Sequence, residues 1–282
     1  MSFLFIQMAD PQFGMYEHFS KLTNKEIEYI RNVKGMNILD THDLSGLNFE
    51  IENFNKAIDI ANFIKPKFVI ICGDMINSTE QDNQYQNFIK ICDRLSKDIK
   101  IYFAPGNHDI DNQEITKDSL ENYRKSFGND QYYFDYNNYR FIVINSNVTF
   151  NPYKLPDEWE KQLNFLKTTL KESNSIKNKV VFLHHPLFIN SPYEENNFIS
   201  IHKPHRNILL SLFDLYGVNF VFAGHWHRNS YTKYKNIEII TSGPVGYPLG
   251  KDPSGIRILK ASDSKLIHKY YALDSTTYKL DF

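Results

Sequence analysis

Six short apolar runs punctuate the chain: Phe3–Met8, Phe68–Cys72, Ile101–Ala104, Phe141–Ile144, Val180–Leu183 and Phe220–Ala223. Each is rich in Phe, Ile or Val and bounded by polar residues or Gly. Runs that are continuous rather than alternating predict strands covered on both faces. Helical spacing fills several gaps between them. Ile51, Phe54, Ile58, Ala61 and Phe63–Ile64 recur every three to four residues until Pro66 stops the pattern. Leu163, Leu166 and Leu170 follow a Pro156-Asp157 start signal, and Leu209, Leu210, Phe213 and Leu215 form a further stripe. Strands alternating with helices predict an α/β architecture.

The C-terminal third differs. Ile237–Thr241, Ile256–Lys260 and Leu266–Leu273 read as strands, with turns at Gly243-Pro244 and Asp252-Pro253. They predict a second sheet packed on the first. There is no internal repeat and no flexible Gly/Ser linker, so residues 1–282 read as one domain of two packed sheets with outer helices. Residues 14–48 show weak periodicity and no clear strand. A segment of that length in a compact domain reads as a functional loop or a partly disordered one.

Composition bounds the function. With 41% hydrophobic and 23% charged residues the chain is a folded protein rather than a disordered one. A net charge of -1 argues against a general nucleic-acid binder, which needs a cationic surface. The 15% aromatic content reads as core packing. Two cysteines, Cys72 and Cys92, do not make a secreted disulfide framework. The N-terminal apolar run is too short for a signal peptide, and no stretch reaches membrane-spanning length. The expectation is a cytoplasmic protein.

Five of the six runs end directly on residues with ligand chemistry: Asp10, Gly73-Asp74, Gly106-Asn107-His108-Asp109, His184-His185 and Gly224-His225-Trp226-His227. Taken singly, each is ordinary. Gly-Asp marks a turn, an Asp after a strand is a cap, and paired histidines are incidental more often than functional. Together they are not, because strand carboxyl ends are where an open α/β sheet binds ligands. Asp, Asn and His without thiolate select Mn, Fe, Zn, Co or Ni over calcium. Asp74 is placed to bridge two ions, and a pair of ions suits phosphoryl chemistry.

At this point the residues resemble a known family. The set Asp10, Gly73-Asp74, Gly106-Asn107-His108-Asp109, His184 and Gly224-His225-Trp226-His227 resembles the calcineurin-like metallophosphoesterase superfamily. His184-His185-Pro186-Leu187-Phe188, Leu249-Gly250-Lys251-Asp252-Pro253 and His268-Lys269-Tyr270-Tyr271 extend the similarity to the group of calcineurin-like phosphoesterase domain-containing protein 1. The resemblance covers nearly the whole chain and is weakest over residues 15–45. It implies a four-layer α/β sandwich and two divalent metal ions, with Mn, Fe or Zn favoured. It implies that Asp10, Asp74 and His227 hold one ion, and that Asp74, Asn107, His184 and His225 hold the other. His108 would be the general acid. Its neighbour in the chain, Asp109, is a carboxylate expected to orient that ring or to raise its pKa. The superfamily has Asp-x-His at the first motif, where this chain has Asp10-Pro11-Gln12. Gln12 offers a neutral amide oxygen, a poorer donor for such metals than imidazole, and stands as a further candidate ligand.

The resemblance implies a serine/threonine protein phosphatase. A small-molecule phosphoesterase acting on nucleotides or cyclic nucleotides would use the same site. A scaffold that has lost catalysis should lack several ligands or the general acid, and this chain has them. The expected partner is a phosphorylated protein or a small phosphoester, not a nucleic acid or a membrane.

Overall fold

Apolar residues alternate between two packing layers along every central strand. In β1 (Phe3–Met8) and β2 (Phe68–Cys72), Phe3, Phe5, Phe68, Ile70 and Cys72 enter one buried cluster, while Ile6, Met8, Val69 and Ile71 enter another. β5 (Tyr139–Val143), β6 (Asn178–Phe182) and β7 (Phe220–Ala223) divide in the same way. The first cluster is the seam between two sheets: the Phe141 ring lies 5.3 Å from Phe5 and 5.0 Å from Phe68. The second lies beneath helices such as α3 (Asn48–Ile64), α8 (Pro156–Glu172) and α9 (Lys203–Leu215). Double burial is why these strands read as continuous apolar runs.

This computed structural model describes residues 2–39, 45–111 and 114–275. The remaining elements are α1 (Met15–Ser20), α2 (Asn24–Lys34), α4 (Asp82–Cys92), β3 (Lys100–Ala104), α5 (Asn107–Ile110), α6 (Lys117–Phe127), β4 (Tyr132–Tyr136), α7 (Ser146–Phe150), β8 (Ser230–Tyr234), β9 (Ile237–Thr241), β10 (Gly255–Ala261) and β11 (Leu266–Ala272). One sheet runs β11-β10-β1-β2-β3 and the other β4-β5-β6-β7-β9-β8. β1, β2 and β3 are parallel, as are β5, β6, β7 and β9, and antiparallel strands complete both sheets. Two mixed sheets flanked by helices are the architecture that the sequence implied.

Two expectations need correction. The C-terminal strands do not form a sheet of their own. β9 joins β7 in the second sheet, while β10 and β11 return to the first by pairing with β1. Nor is the segment after Gly14 irregular. Its described part holds α1 and α2, and the latter opens on a Thr23–Glu26 capping box. Residues 40–44 of that segment lie outside the described residues. Met15, Tyr16, Phe19 and Ile38 pack on Tyr247 and Leu249 in a satellite core. Among the described residues no helix is long and apolar enough to cross a membrane.

Glu50 anchors this satellite. It is fully buried on α3, and its Oε1 accepts the Tyr16 amide at 2.7 Å while Oε2 has no hydrogen-bond partner among the described residues. Burial pushes its carboxyl up to about 7. The folded protein therefore holds this proton more tightly than the unfolded chain. The stabilisation is complete below about pH 4.3, the unfolded value, and is lost as pH rises through 7. Glu50→Gln keeps an acceptor for Tyr16 and removes the titration. Its Tm should fall less than that of wild type between pH 4.5 and 7. Parallel Tm profiles would show that Glu50 is not the linked group.

Candidate metal centre

The parallel strands of both sheets end on the same side, and their loops meet there. Asp10 follows β1, Asp74 follows β2, Asn107 and His108 open α5 after β3, His184 follows β6, and His225 and His227 follow β7. Backbone bonds lock the loops to one another. Asp10 N donates to Gly73 O at 3.1 Å, Gln12 N to Asp74 O at 2.8 Å and Gly224 N to His184 O at 3.0 Å. The His225 amide closes the ring by donating to both Asp10 carboxylate oxygens at 3.0 Å.

The backbone at these positions is strained. Eight non-glycine residues among those described have positive φ, and five are candidate ligands: Asp10, Gln12, Asp74, His225 and His227. Such conformations cost energy and persist where surrounding contacts over-determine them, which concentrates them at functional sites. Two glycines make the close approach feasible. Gly73 has φ 82°, and a β-carbon there would strike the His184 ring. Gly106 needs no special φ, but its β-carbon would collide with the Asp74 amide and carboxylate. Gly106→Ala should therefore displace Asp74, costing about 1–3 kcal/mol of stability as overpacking does. Metal content and turnover should fall with it. Wild-type metal stoichiometry in that variant would show that the loop has room to spare.

The donor atoms converge. His184 Nε2 lies 3.0 Å from His225 Nδ1, 3.1 Å from Asn107 Oδ1 and 3.2 Å from Asp74 Oδ2. Ligand atoms of Asp74, His184 and His225 all lie within 4.8 Å of one another. On the other flank, His227 Nε2 is 3.5 Å from Asp10 Oδ1. The structure thus brings together all the predicted ligands, and it sets His225 and His227 against different partners.

Hydrogen bonds to backbone carbonyls orient the imidazoles. His184 Nδ1–H donates to Cys72 O at 2.8 Å, His227 Nδ1–H to Tyr247 O at 2.5 Å and His225 Nε2–H to Phe198 O at 3.1 Å. A carbonyl only accepts, so each bonded nitrogen carries a hydrogen, and in the neutral ring the opposite nitrogen presents a lone pair to the centre. Burial, reinforced for His225 by the His184 charge, holds His225 at about 3 and His227 at about 4, so both stay neutral. Burial works against a charge on His184 as well, but the adjacent Asp74 carboxylate outweighs it and raises His184 to about 9. Asp74 is itself held below the carboxylate range by His184 and His108 against the effect of burial. Burial pushes Asp10 upward.

These residues fit divalent metal ions. Neutral imidazole lone pairs, carboxylates and an amide oxygen crowd together, and in the protein alone the charge of His184 offsets them in part. Gln12 agrees with this. Its Nε2 donates to Asn77 Oδ1 at 3.1 Å, while Oε1 is buried without a partner among the described residues. An orphaned buried acceptor costs about 1–3 kcal/mol, and a cation would satisfy it.

Asp109 corrects the expectation of a residue that orients His108. Its Oδ1 accepts the Met75 and Ile76 amides at 2.7 and 3.2 Å, and its Oδ2 accepts Gly106 N at 2.8 Å. It clamps the β2 and β3 loops together. The His108 ring is oriented instead by the Asn77 carbonyl, 2.7 Å from Nδ1. This leaves Nε2 without a partner among the described residues. A sixth strand end also reaches the site. After β5, Asn145-Ser146-Asn147 enters the site, and Asn147 Nδ2 donates to Gly106 O at 3.2 Å. The Phe141–Ile144 run followed by three polar residues was the available signal. A cavity of about 440 Å³ lies over the centre, lined by Asp74, Asn107, His108, His185 and His225 with Phe150, Phe198 and Trp226 at its sides.

The calcineurin-like phosphoesterase family model matches residues 38–229. The chain belongs to that family. As a calcineurin-like phosphoesterase it is a hydrolase of phosphoesters. It is 31% identical over 291 residues to serine/threonine-protein phosphatase CPPED1 of Homo sapiens, covering 98% of this chain and 86% of that one. The Rattus norvegicus protein of the same name is 30% identical over 287 residues, covering 96% and 84%. A dimetal phosphatase from Danio rerio superposes with a TM-score of 0.64 at 16% identity, covering 96% of both chains. Purple acid phosphatase PPD1 from yellow lupin gives 0.66 at 15% identity, covering 97% of this chain and 52% of that one. These two likenesses establish the fold.

Proposed function

We propose that the protein is a dinuclear metal-dependent phosphatase acting on phosphoserine and phosphothreonine in proteins. Asp10, Asp74, Asn107, His184, His225 and His227 would hold the ions, with Gln12 as a further oxygen donor. The observation that carries this reading is the meeting of His184, His225, Asn107 and Asp74 donor atoms within 3.0–3.2 Å of His184 Nε2, beside a histidine free to move a proton. When bound, the metals supply charge to neutralise the phosphoryl oxygens and Lewis acidity toward the attacking water.

The protein's own groups do the rest. His108 is anchored through Nδ1–H to Asn77 O, so Nε2 is the atom that delivers a proton to the departing oxygen. Serine and threonine alkoxides are strongly basic and require that proton. The Phe198 and Tyr247 carbonyls hold His225 and His227 in the required tautomers. The names of the two mammalian relatives support the protein substrate. We also read residues 1–282 as one domain, because β1, which carries Asp10, and β10 and β11 lie outside the matched span yet complete the first sheet. The free cysteines Cys72 and Cys92 support a cytoplasmic location.

The Phe150, Phe198 and Trp226 side chains at the cavity favour a second reading, a small aromatic phosphoester. Assays with Mn, Zn, Mg and Fe on phosphopeptides, nucleotides and cyclic nucleotides separate the two. Higher kcat/KM on phosphopeptides supports the protein phosphatase, and the reverse order supports the second reading.

A further inference from the structure

His185 sits beside a ligand but faces a different partner. Its ring is almost fully buried, stacked on Phe150 with centroids 4.7 Å apart and tilted against His225 at 4.4 Å. Its Nδ1 is 2.9 Å from the hydroxyl of Ser146, which is itself fully buried. That hydroxyl also accepts the His184 amide at 3.2 Å and the His185 amide at 2.9 Å. A hydroxyl has two acceptor positions and one hydrogen. Both acceptor positions are taken by amides, so the hydrogen must go to His185 Nδ1. The alternative would leave a buried O–H without an acceptor. The Nδ1 atom is therefore an acceptor, and the hydrogen of the neutral ring is on Nε2. This arrangement is the reverse of that in His184, His227 and His225, where a carbonyl forces a lone pair toward the centre.

Nε2 of His185 has no partner among the described residues and is not among the sealed polar atoms, while His185 lines the cavity with His108 and Asn107. We propose that His185 is a substrate-binding residue, its Nε2–H donating a hydrogen bond to a non-bridging oxygen of the phosphoryl group, with the tautomer set by Ser146. The proposal rests on the reading of this cavity as a phosphoester site. It assigns the paired histidines of the His184-His185-Pro186 motif opposite duties, the first presenting a lone pair to a cation and the second a hydrogen to an anion.

The test uses zinc-loaded protein labelled with 15N at histidine. The ring shifts of His185 should report the Nε2–H tautomer, and adding inorganic phosphate should move the Nε2 resonance. His185→Phe keeps the ring stack and lacks the donor. Its inhibition constant for phosphate should rise about tenfold or more, and kcat/KM should fall about 10- to 100-fold, as expected for a bond to a charged acceptor. Zinc content should not change. His185→Gln restores an N–H and should recover most of the phosphate affinity. An Nδ1–H tautomer in wild type, or wild-type phosphate inhibition in zinc-loaded His185→Phe, would overturn the proposal. The NMR arms need no variant, so a His185→Phe chain that fails to fold leaves them decisive. Protein that binds phosphate at His185 but hydrolyses no phosphoester would uphold this inference and refute the proposed function.

Discussion

Asp74→Asn is expected to lose both bound metal and turnover. Asp74 is the carboxylate of the Asp74, His184 and His225 cluster, and we propose that it bridges the two ions. Its Oδ1 accepts the His108 amide at 2.9 Å, and its Oδ2 faces His184 Nε2 at 3.2 Å. Asparagine has the same shape and tolerates the left-handed backbone at this position, where φ is 52°. The variant should therefore fold, and only the charge is lost. Losing a ligand's outer partner costs about 10–100-fold in metal affinity, so losing a central carboxylate should exceed about 100-fold. A second readout is independent of activity. The charge of Asp74 is what raises metal-free His184 to about 9, so in the variant the His184 titration should move down toward the range that burial alone dictates. Wild-type metal stoichiometry together with an unmoved His184 titration would remove Asp74 from the centre.

His108→Ala should lower turnover on phosphoserine peptides by about 10²–10⁴-fold, the usual share of general acid catalysis. Metal content should be preserved, because the ring nitrogens of His108 do not join the cluster around His184 Nε2. The loss should depend on the leaving group. A serine alkoxide needs the proton, whereas a nitrophenolate leaves nearly as well without it. The defect should therefore be severe on the peptide and mild on a nitrophenyl phosphate. Equal losses on both substrates, or release of metal, would give His108 a positional or ligating role.

The order of these effects follows from how the site is assembled. Its ligands are carried by strand ends, and strands covered on both faces leave a plain signal. Phe3–Met8, Phe68–Cys72 and Phe220–Ala223 coincide with β1, β2 and β7 to the residue. With the strands placed, the residues that follow them are candidates for a shared site, and all of those named do converge. β4 and β8 were invisible for the complementary reason. As edge strands with alternate exposure, Tyr-Tyr-Phe-Asp-Tyr and Ser-Tyr-Thr-Lys-Tyr carry no continuous apolar run. α1 and α2 leave little trace in the sequence because their apolar residues pack on Tyr247 and Leu249, more than two hundred positions away in the chain.

The residue pattern alone was enough to predict the class of fold and to name the residues that meet at the candidate site, because burial period and ligand type are local properties. Only the assembled chain decided which sheet β10 joins, since strand pairing is a choice among partners of equal hydrophobicity. Only the assembled chain showed that Asp109 clamps two loops rather than orienting His108. It also decided the tautomers. A histidine in sequence is the same residue whether it meets a carbonyl or a saturated hydroxyl. Cys72 O turns His184 into a lone-pair donor, and Ser146 Oγ turns its neighbour His185 into a hydrogen donor, through contacts made across 112 and 39 positions of the chain.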